Sequence, residues 1–273
     1  MAQIHPTAIV ADGAIVADDV RIGPFCVVGE NVRLDAGVEL KSHVVVDGHT
    51  SIGERTVVHP QAVLGGQPQS MRHKGGPTRL TIGRDCTIRE GVTANVGTDS
   101  DRGLTSIGDH CFIMTYAHIA HDCAVGDHVT IVNNVMLAGH CVVGDHAIIG
   151  GGAALHQFSR VGTRAFVGGM AGVEGDVIPY GMALGNRAYL GGLNIVGLKR
   201  AGVSRADIHA LRHAYQDLFD RDTGTVHDNA ERLAAQDGLS AIVREVLAFV
   251  GVRGKRGFVT PPLGETGADA ADS

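Results

Sequence analysis

The sequence has few of the large side chains that normally fill a compact core. Its 273 residues include no tryptophan, and aromatic residues make up only 4%. Glycine, by contrast, occurs 39 times. Because aromatic side chains usually contribute much of the buried surface of a domain, their scarcity favours a thin core built repetitively from Val, Ile, Leu and Ala.

Charge of either sign is also scarce. Charged residues make up 19% of the chain and the net charge is −6, which argues against a generic nucleic-acid-binding protein. No apolar run reaches the length of a membrane span, and the start MAQIHPTAIVADG lacks the basic and apolar regions of a signal peptide. We therefore expect a cytoplasmic protein with no membrane segment and no nucleic-acid partner.

A hexapeptide repeat organises most of the chain from Ile4 to Val173. Branched aliphatic residues recur at every sixth position from Ile4 to Leu64 and again from Ile107 to Val173. A period of six suits a short strand plus a turn, three of which complete one coil of a parallel β-helix. Residues 18 apart then stack on successive coils, about 4.8 Å from each other. The sequence therefore predicts a mainly β fold.

The cysteines follow the same repeat. All five occupy the fifth hexad position, where Ala and Val stand elsewhere: Cys26, Cys86, Cys111, Cys123 and Cys141. We interpret them as small inward fillers rather than as a disulfide framework, a zinc site or a nucleophile. Reduced thiols fit the cytoplasm.

Two segments interrupt the repeat, and it ends after Pro179. Residues 66–79 and 97–105 lose the aliphatic phase and are predicted to be loops. We expect a β-helix over residues 1–190, a C-terminal helical domain over 191–256 and a disordered acidic tail over 257–273. In the helical part, a start at Ser204 with Asp207 three residues on, a helix over 225–236 and another over 240–250 are predicted.

Because three hexads complete one coil, each turn of the coil forms its own column. A Gly-Asp-His turn recurs, so His110, His128 and His146 should form a ladder, which we interpret as turn residues rather than metal ligands. Another turn gathers titratable groups over three coils. It stacks His121 with Gly139 and Gln157, and Asp122 with His140, while His118 and His156 lie beside them.

The turn that gathers titratable groups can be interpreted in two ways. A histidine with a neighbouring carboxylate can act as a general base, and a glycine one coil away offers the backbone N–H that an oxyanion hole needs. A solvated, histidine-rich turn would show the same spacing. The spacing alone leaves both interpretations open.

A series of short motifs gives the chain a family resemblance. IHPTAIV, IGPFCVVG, LKSHVVVDGHTSIG, AHIAHDC, LAGH, HQF and NIVGLKR occur in this order between about residues 4 and 220. Together they resemble the acyl-carrier-protein-dependent UDP-N-acetylglucosamine O-acyltransferases that open lipid A biosynthesis. The resemblance implies a homotrimer of left-handed β-helices, with active sites in the clefts between subunits. It implies transfer of a 3-hydroxyacyl chain from acyl carrier protein to the sugar 3-position, without a metal or organic cofactor.

The resemblance also assigns roles by position. His121 would be the general base, Asp122 would orient it, and the Gly139 N–H would bind the oxyanion. Gln69 would contact the sugar, and Asn194 and Arg200 the nucleotide. Gly169 stands where the family sets the acyl length, and a glycine there would leave the groove open to a longer chain. The full substrate-binding set is Gln69, Ser70, Arg72, His118, His140, His156, Gln157, Gly169, Asn194 and Arg200.

Some positions depart from the family pattern. Ser70 stands where an aspartate is familiar and Arg72 where a lysine is, Val196 and Ala201 replace charged residues, and TANVGT lacks the usual histidine and arginine. These departures keep a second acceptor open, the 3-amino analogue of the same nucleotide sugar, which would be N-acylated.

The first C-terminal helices carry a basic surface. Lys199, Arg200, Arg205 and Arg212 could receive the acidic carrier protein by charge complementarity. A solvated helix face explains the same residues.

Three other classes of protein use such a repeat. A γ-type carbonic anhydrase binds zinc through three histidines, but its close pair is five apart, whereas His118 and His121 are three apart. The later N-acyltransferase of the same pathway carries an extra N-terminal domain, whereas the repeat here begins at Ile4. A non-enzymatic solenoid would make His121 dispensable.

Overall fold

The computed structural model describes residues 1–262, and residues 3–193 form a three-sided prism of short strands. The first sheet contains Gln3–Ile4, Arg21–Ile22, Glu39–Leu40, Val57–Val58, Thr87–Ile88, Phe112–Ile113, Thr130–Ile131, Ile148–Ile149, Phe166–Val167, Gly181–Leu184 and Tyr189–Leu193. The second contains Ile9–Val10, Val27–Val28, Val45–Val46, Val63–Gly66, Thr93–Asn95, His118–Ile119, Met136–Leu137, Ala154–Leu155 and Gly172–Val173. The third contains Ile15–Val16, Arg33–Leu34, His49–Ile52, Arg79–Ile82, Leu104–Ile107, Ala124–Val125, Val142–Val143 and Arg160–Val161.

The chain visits the three sheets in turn, one strand from each per coil. Neighbouring strands are parallel, and their partners are 18 positions apart in regular coils, as in Gln3 with Arg21 and Thr130 with Ile148. The last strand, Tyr189–Leu193, is antiparallel to Gly181–Leu184 and closes the first sheet. The left-handed parallel β-helix predicted from the hexads and the family resemblance is confirmed.

The interior of the prism is a stack of aliphatic side chains. The second residue of each two-residue strand points inward, and Ile131, Leu137 and Val143 are fully or almost fully buried. The fifth hexad positions fill the corners, and all five cysteines are buried free thiols there. Their predicted role as small fillers is therefore confirmed.

Most turns carry one non-glycine residue in the left-handed region. His128, Asn134 and His140 have φ values of 57°, 59° and 65°. This conformation costs roughly 1–2 kcal/mol for a residue with a Cβ atom. Stacking offsets the cost, because most of these N–H groups donate to the turn of the coil before them, as His140 does to the His121 carbonyl at 3.0 Å. The Asp122 N–H instead donates to the Thr105 hydroxyl at 2.8 Å.

Both interruptions of the repeat leave the prism at the same corner. Residues 67–78 and 96–103 each connect a strand of the second sheet to one of the third, which defines the second–third corner. The coil spacing grows accordingly, from 18 to 30 between Val57 and Thr87 and to 25 between Thr87 and Phe112. The second loop is shorter than predicted, because Leu104 and Thr105 already pair with Arg79 and Leu80.

Four helices follow the prism: α1 (Ile195–Arg200), α2 (Arg205–Leu218), α3 (Val226–Ala234) and α4 (Ala241–Gly251). The predicted start of α2 is confirmed, since the Ser204 side chain accepts from the Asp207 N–H. In α3 the Thr225 and Asp228 side chains form a reciprocal capping box. None of the helices among residues 1–262 is long and apolar enough to cross a membrane.

The chain after α4 returns to the end of the prism. Phe258 forms a parallel β-bridge with Asp176. The Val259 N–H donates to the Asp176 carbonyl at 2.9 Å, and Val259 is buried. The predicted tail therefore begins too early at Gly257, because the backbones of Gly257, Val259 and Thr260 are hydrogen-bonded to Asp176 and Leu190. Residues 263–273 of that tail lie outside the described residues.

Removing an inward side chain should destabilise the stack locally. Ile131 is fully buried between coils, so we expect Ile131→Ala to lower the free energy of unfolding by about 2–5 kcal/mol through lost burial and a residual cavity. Thr130, the outward residue of the same strand, provides the matched control. We expect Thr130→Ala to change the free energy of unfolding by less than about 0.5 kcal/mol. Urea unfolding measures both, and equal losses would contradict the inward assignment.

Candidate active site

The titratable column predicted from the repeat lies at the second–third corner. His121 and Asp122 join strand His118–Ile119 of the second sheet to Ala124–Val125 of the third. Gly139 and His140 occupy the same turn one coil on, and Gln157 and Phe158 the turn after that, linked by the Phe158 N–H to the Gly139 carbonyl at 3.1 Å. The two long loops leave the prism at this same corner, one and two coils before His121 and Asp122.

His121 and Asp122 form a hydrogen-bonded pair. His121 Nδ1 lies 2.9 Å from Asp122 Oδ2, and their side chains are 14% and 0% exposed. An ionised carboxylate can only accept, so Nδ1 carries the proton and Nε2 is left as a basic nitrogen. The left-handed φ of Asp122, 59°, lets two consecutive side chains meet in this way.

Thr98, from the second loop, keeps Asp122 ionised. Its N–H lies 3.1 Å from both carboxylate oxygens, and its hydroxyl donates to Oδ2 at 2.6 Å. Burial alone would raise the pKa of Asp122, but the hydrogen bonds from Thr98 and His121 outweigh it and hold the pKa below its usual value. The sequence did not single out Thr98, because it lies in the segment where the repeat loses phase.

Gly139 gives the His121 imidazole its space. A Cβ atom at this position would lie 2.6 Å from His121 Cε1 and 2.8 Å from Nε2. Within residues 1–262 the Gly139 N–H donates to no backbone acceptor. A backbone donor and the basic nitrogen of His121 are thus neighbours.

His118 projects outward from the strand of the second sheet that leads into the His121 turn. Its Nδ1 lies 2.7 Å from Thr93 Oγ1. Burial lowers the pKa of His118, and the nearby charge of His121 lowers it further. His118 is therefore held in its neutral form, which can donate one hydrogen bond to a ligand.

His140 has two neighbours that the sequence did not reveal. Asp101 Oδ2, from the second loop, lies 2.5 Å from His140 Nδ1, although the angles do not meet those of a hydrogen bond. The Phe158 ring stacks on His140 with centroids 4.3 Å apart, and His140 in turn meets His121 edge-on at 5.0 Å. Asp101 could not be placed from the repeat because its loop breaks the register of the coils.

His121, Asp122 and His140 are also close enough together to be considered as metal ligands. Asp122 argues against this use, because its oxygens already accept three kinds of donor, the Thr98 N–H, the Thr98 hydroxyl and His121 Nδ1. The buried carboxylate is therefore committed to orienting His121.

The long loop that carries Gln69, Ser70 and Arg72 is tied to the same corner. Asp99 of the second loop accepts from the backbone N–H groups of Lys74 and Gly76, at 3.0 and 3.2 Å. Asn95 donates to the carbonyl of Gln67 at 2.9 Å. Gln69 and Arg72 are exposed on this braced loop, and Ser70 is half-buried.

Three predicted site residues lie at other corners of the same chain. Gly169 joins the first sheet to the second. The Asn194 side chain caps α1 through the Gly197 N–H and donates to the Arg164 carbonyl, which lies between the third sheet and the first. Arg200 ends α1 and is exposed. One chain alone thus brings together His118, His121, Asp122, Gly139, His140, His156 and Gln157, but not these three.

The histidine ladder forms at the third–first corner, away from His121. The rings of His110, His128 and His146 are stacked with centroids 4.7 Å apart and nearly parallel planes. Parallel rings point their nitrogen lone pairs in the same direction rather than at a common centre. This geometry supports the interpretation as turn residues.

The fold and this corner define the class of protein. Residues 104–139 match the bacterial transferase hexapeptide family, and residues 176–259 match the family described as UDP N-acetylglucosamine O-acyltransferase, domain 2. A hexapeptide-repeat prism with a histidine–carboxylate pair in a loop-lined corner is that of an acyltransferase.

Similar proteins narrow the class to one family. The chain is 58% identical to the acyl-[acyl-carrier-protein]–UDP-N-acetylglucosamine O-acyltransferase of Mesorhizobium japonicum over 271 residues, 99% of this chain and 97% of that one. The protein of the same name from Brucella ovis is 55% identical over 95% and 93%. LpxA from Acinetobacter baumannii has a TM-score of 0.90 at 39% identity, covering 94% and 99%. The chain belongs to the UDP-N-acetylglucosamine O-acyltransferase family.

Removing the Thr98 hydroxyl should weaken the fold in a pH-dependent way. A carboxyl whose pKa is lowered on folding stabilises the protein above its unfolded pKa and loses that contribution as pH falls through the folded value. We expect Thr98→Val to cost about 1–3 kcal/mol at neutral pH, with the difference from wild type shrinking in acid as Asp122 is protonated. Urea unfolding at a series of pH values measures this, with Thr81→Val on the outside of the third sheet as control. A cost independent of pH would contradict the pairing.

Proposed function

We propose that this protein transfers a 3-hydroxyacyl chain from acyl carrier protein to the 3-position of UDP-N-acetylglucosamine, the first step of lipid A biosynthesis. The observation that carries the proposal is the hydrogen-bonded His121–Asp122 pair beside Gly139 in the loop-lined corner. The relatives match this chain over almost its whole length. Their names support the same donor and acceptor.

The proposed chemistry uses His121 as the general base. Its Nε2 accepts the proton of the sugar 3-hydroxyl while the oxygen attacks the thioester carbonyl. The carbonyl oxygen becomes an oxyanion that the Gly139 N–H stabilises. When the tetrahedral intermediate collapses, the carbon–sulfur bond breaks and the carrier-protein thiolate takes the proton from His121. Asp122 stabilises the imidazolium that exists between the two transfers.

The acyl chain would lie along the outer face of the second sheet. This sheet separates the second–third corner from the first–second corner, where Gly169 lies. Its outward residues here are small or apolar, including Met136, Ala154 and Gly172. A Cβ atom at Gly169 would lie 3.3 Å from the Gly151 carbonyl oxygen. We propose that the glycine leaves the far end of this path open to a long chain.

The active unit we propose is a trimer in which each site is shared between copies. Asn194 lies at the third–first corner and caps α1, the helix that ends at Arg200. His121 lies at the second–third corner of the same prism. A nucleotide sugar can meet both sets only where corners of two copies come together. Closed cyclic assembly supplies such a contact three times in a trimer.

The carrier protein would approach the basic start of the helical region. Lys199 and Arg200 end α1, Arg205 begins α2, and all three are exposed. Arg212 lies about two helical turns after Arg205 on α2 and is half-buried. An acidic partner would be drawn to this surface by complementary charge.

The proposed base is tested by replacing His121. Since general-base catalysis contributes typically 10²–10⁴-fold, we expect His121→Ala to lower kcat by about that factor while the protein stays folded. The assay mixes 3-hydroxyacyl carrier proteins of several chain lengths with the nucleotide sugar and detects products by mass spectrometry. His5→Ala, an exposed histidine on the first coil of the prism, is the matched control and should keep full activity.

The same assay decides between the two acceptors. UDP-N-acetylglucosamine and its 3-amino analogue are offered in competition, and we expect the O-acylated product to dominate. If the amine is preferred, the proposed reaction becomes N-acylation, which would fit the departures from the family pattern at Ser70 and Arg72. Full activity of His121→Ala, or no product with either acceptor, would refute the proposed mechanism.

A further inference from the structure

The segment that follows α4 runs over the last turns of the second–third corner. Its residues 253–258, Arg-Gly-Lys-Arg-Gly-Phe, form the basic segment. At its end, Gly257 and Phe258 pair with Asp176 on the last coil, where the Asp176 N–H donates to the Gly257 carbonyl at 2.7 Å. The segment therefore has a fixed path across the corner that holds His156 and Gln157.

A buried ion pair anchors the middle of the basic segment. Arg160 Nη2 and Nε lie 2.6 and 2.8 Å from Asp176 Oδ2, and the Asp176 side chain is fully buried. Gly254 lies directly on this pair, because a Cβ atom there would be 2.6 Å from Asp176 Oδ2 and 2.9 Å from Arg160 Nε. The close approach of Gly254 determines where the next two side chains start.

Those two side chains both reach the corner. Lys255 Nζ lies 4.0 Å from the centroid of the Phe158 ring, the ring that stacks on His140. Arg256 Nε donates to the Gln157 carbonyl at 3.0 Å. Arg256 Nη2 contacts His156 Nδ1 and is farther from Nε2, at 3.5 Å.

The Arg256 contact determines which ring nitrogen of His156 carries the proton. A guanidinium has only donors and stays charged, so the nitrogen that it contacts, Nδ1, accepts from Arg256. The Gln157 carbonyl also lies 3.3 Å from Nδ1 and would favour a proton there, but this carbonyl already accepts from Arg256 Nε at 3.0 Å. The proton of the neutral ring is then on Nε2, which becomes the hydrogen-bond donor left for a ligand. Because Arg256 also holds the carbonyl of Gln157, one side chain fixes both the orientation of the turn and the tautomer.

We propose that Arg256 is a positioning residue of the acyl-transfer site, acting through His156 and Gln157. The part that concerns substrate rests on the function proposed above, since it requires His156 to contact the nucleotide sugar or the acyl donor. The part that concerns the His156 tautomer does not depend on that function.

The tautomer is tested first, without substrate. Proton–nitrogen correlation spectra of protein labelled with ¹⁵N-histidine distinguish the two ring tautomers, and the His156→Gln spectrum identifies the His156 signals. We expect His156 to be protonated at Nε2 in the wild type and to become a mixture of tautomers in Arg256→Ala. Arg253→Ala, in the same segment but beside Asp228 of α3, should leave the His156 signals unchanged. An unchanged His156 in Arg256→Ala would overturn the proposal.

Kinetics then test the functional consequence. Loss of a charge-assisted hydrogen bond corresponds to about tenfold to a hundredfold in an equilibrium constant, so we expect kcat/KM of Arg256→Ala to fall by that factor with little change in the melting temperature. Arg256→Lys keeps the charge but has one nitrogen for two acceptors, so it should restore activity only in part. Arg253→Ala should have wild-type activity.

A double-mutant cycle separates positioning from a general structural effect. If Arg256 acts through the His156–Gln157 turn, its removal should cost much less in a His156→Gln background than in wild type. Equal costs in both backgrounds would contradict the proposal. If Arg256→Ala has the kinetics of the wild type while His121→Ala is inactive, the inference about Arg256 is refuted and the proposed function stands. If the wild-type protein transfers no acyl chain, the proposed function is refuted and the tautomer result stands.

Discussion

In-register stacking of coils, each made of three hexads, is the constraint on which the remaining structure depends. Each two-residue strand contributes one inward aliphatic residue, and most turns donate a backbone N–H to the turn before them. The core is only one side chain thick, so large aromatic residues have no place in it. The same stacking holds Asp122, His140 and Phe158 in one left-handed column, a conformation that isolated turns would adopt only at a cost.

The stack also explains why the proposed site lies at one corner. Extra residues can be inserted at a turn without disturbing the inward positions, and both insertions occur between the second sheet and the third. One of them brings Thr98 onto Asp122 and Asp101 beside His140. The insertions thus supply the polar contacts that orient the proposed base, His121, which the regular hexads could not provide.

The parts that follow the period could be predicted from the sequence, and those that leave it could not. The columns of His121 with Gly139 and of Asp122 with His140 follow from counting three hexads along the chain. Thr98 could not be placed, because its loop breaks the register. Arg256 was assigned to the helical region and lies 100 residues from His156; only the path of the chain back from α4 brings them together. The roles of Asn194 and Gly169 came from family resemblance, since they lie at corners that the period separates from His121.

The central claim is that the acyl-transfer site is shared between corners of two copies. It is tested most directly by co-expressing His121→Ala and Arg200→Ala chains and measuring acyl transfer by the mixed assemblies. Each variant alone should be nearly inactive. In a randomly mixed trimer about one quarter of the contacts between copies join two intact corners, so we predict recovery of roughly a quarter of wild-type activity. Activity no higher than that of the separate variants would contradict a shared site and place the whole reaction within one chain.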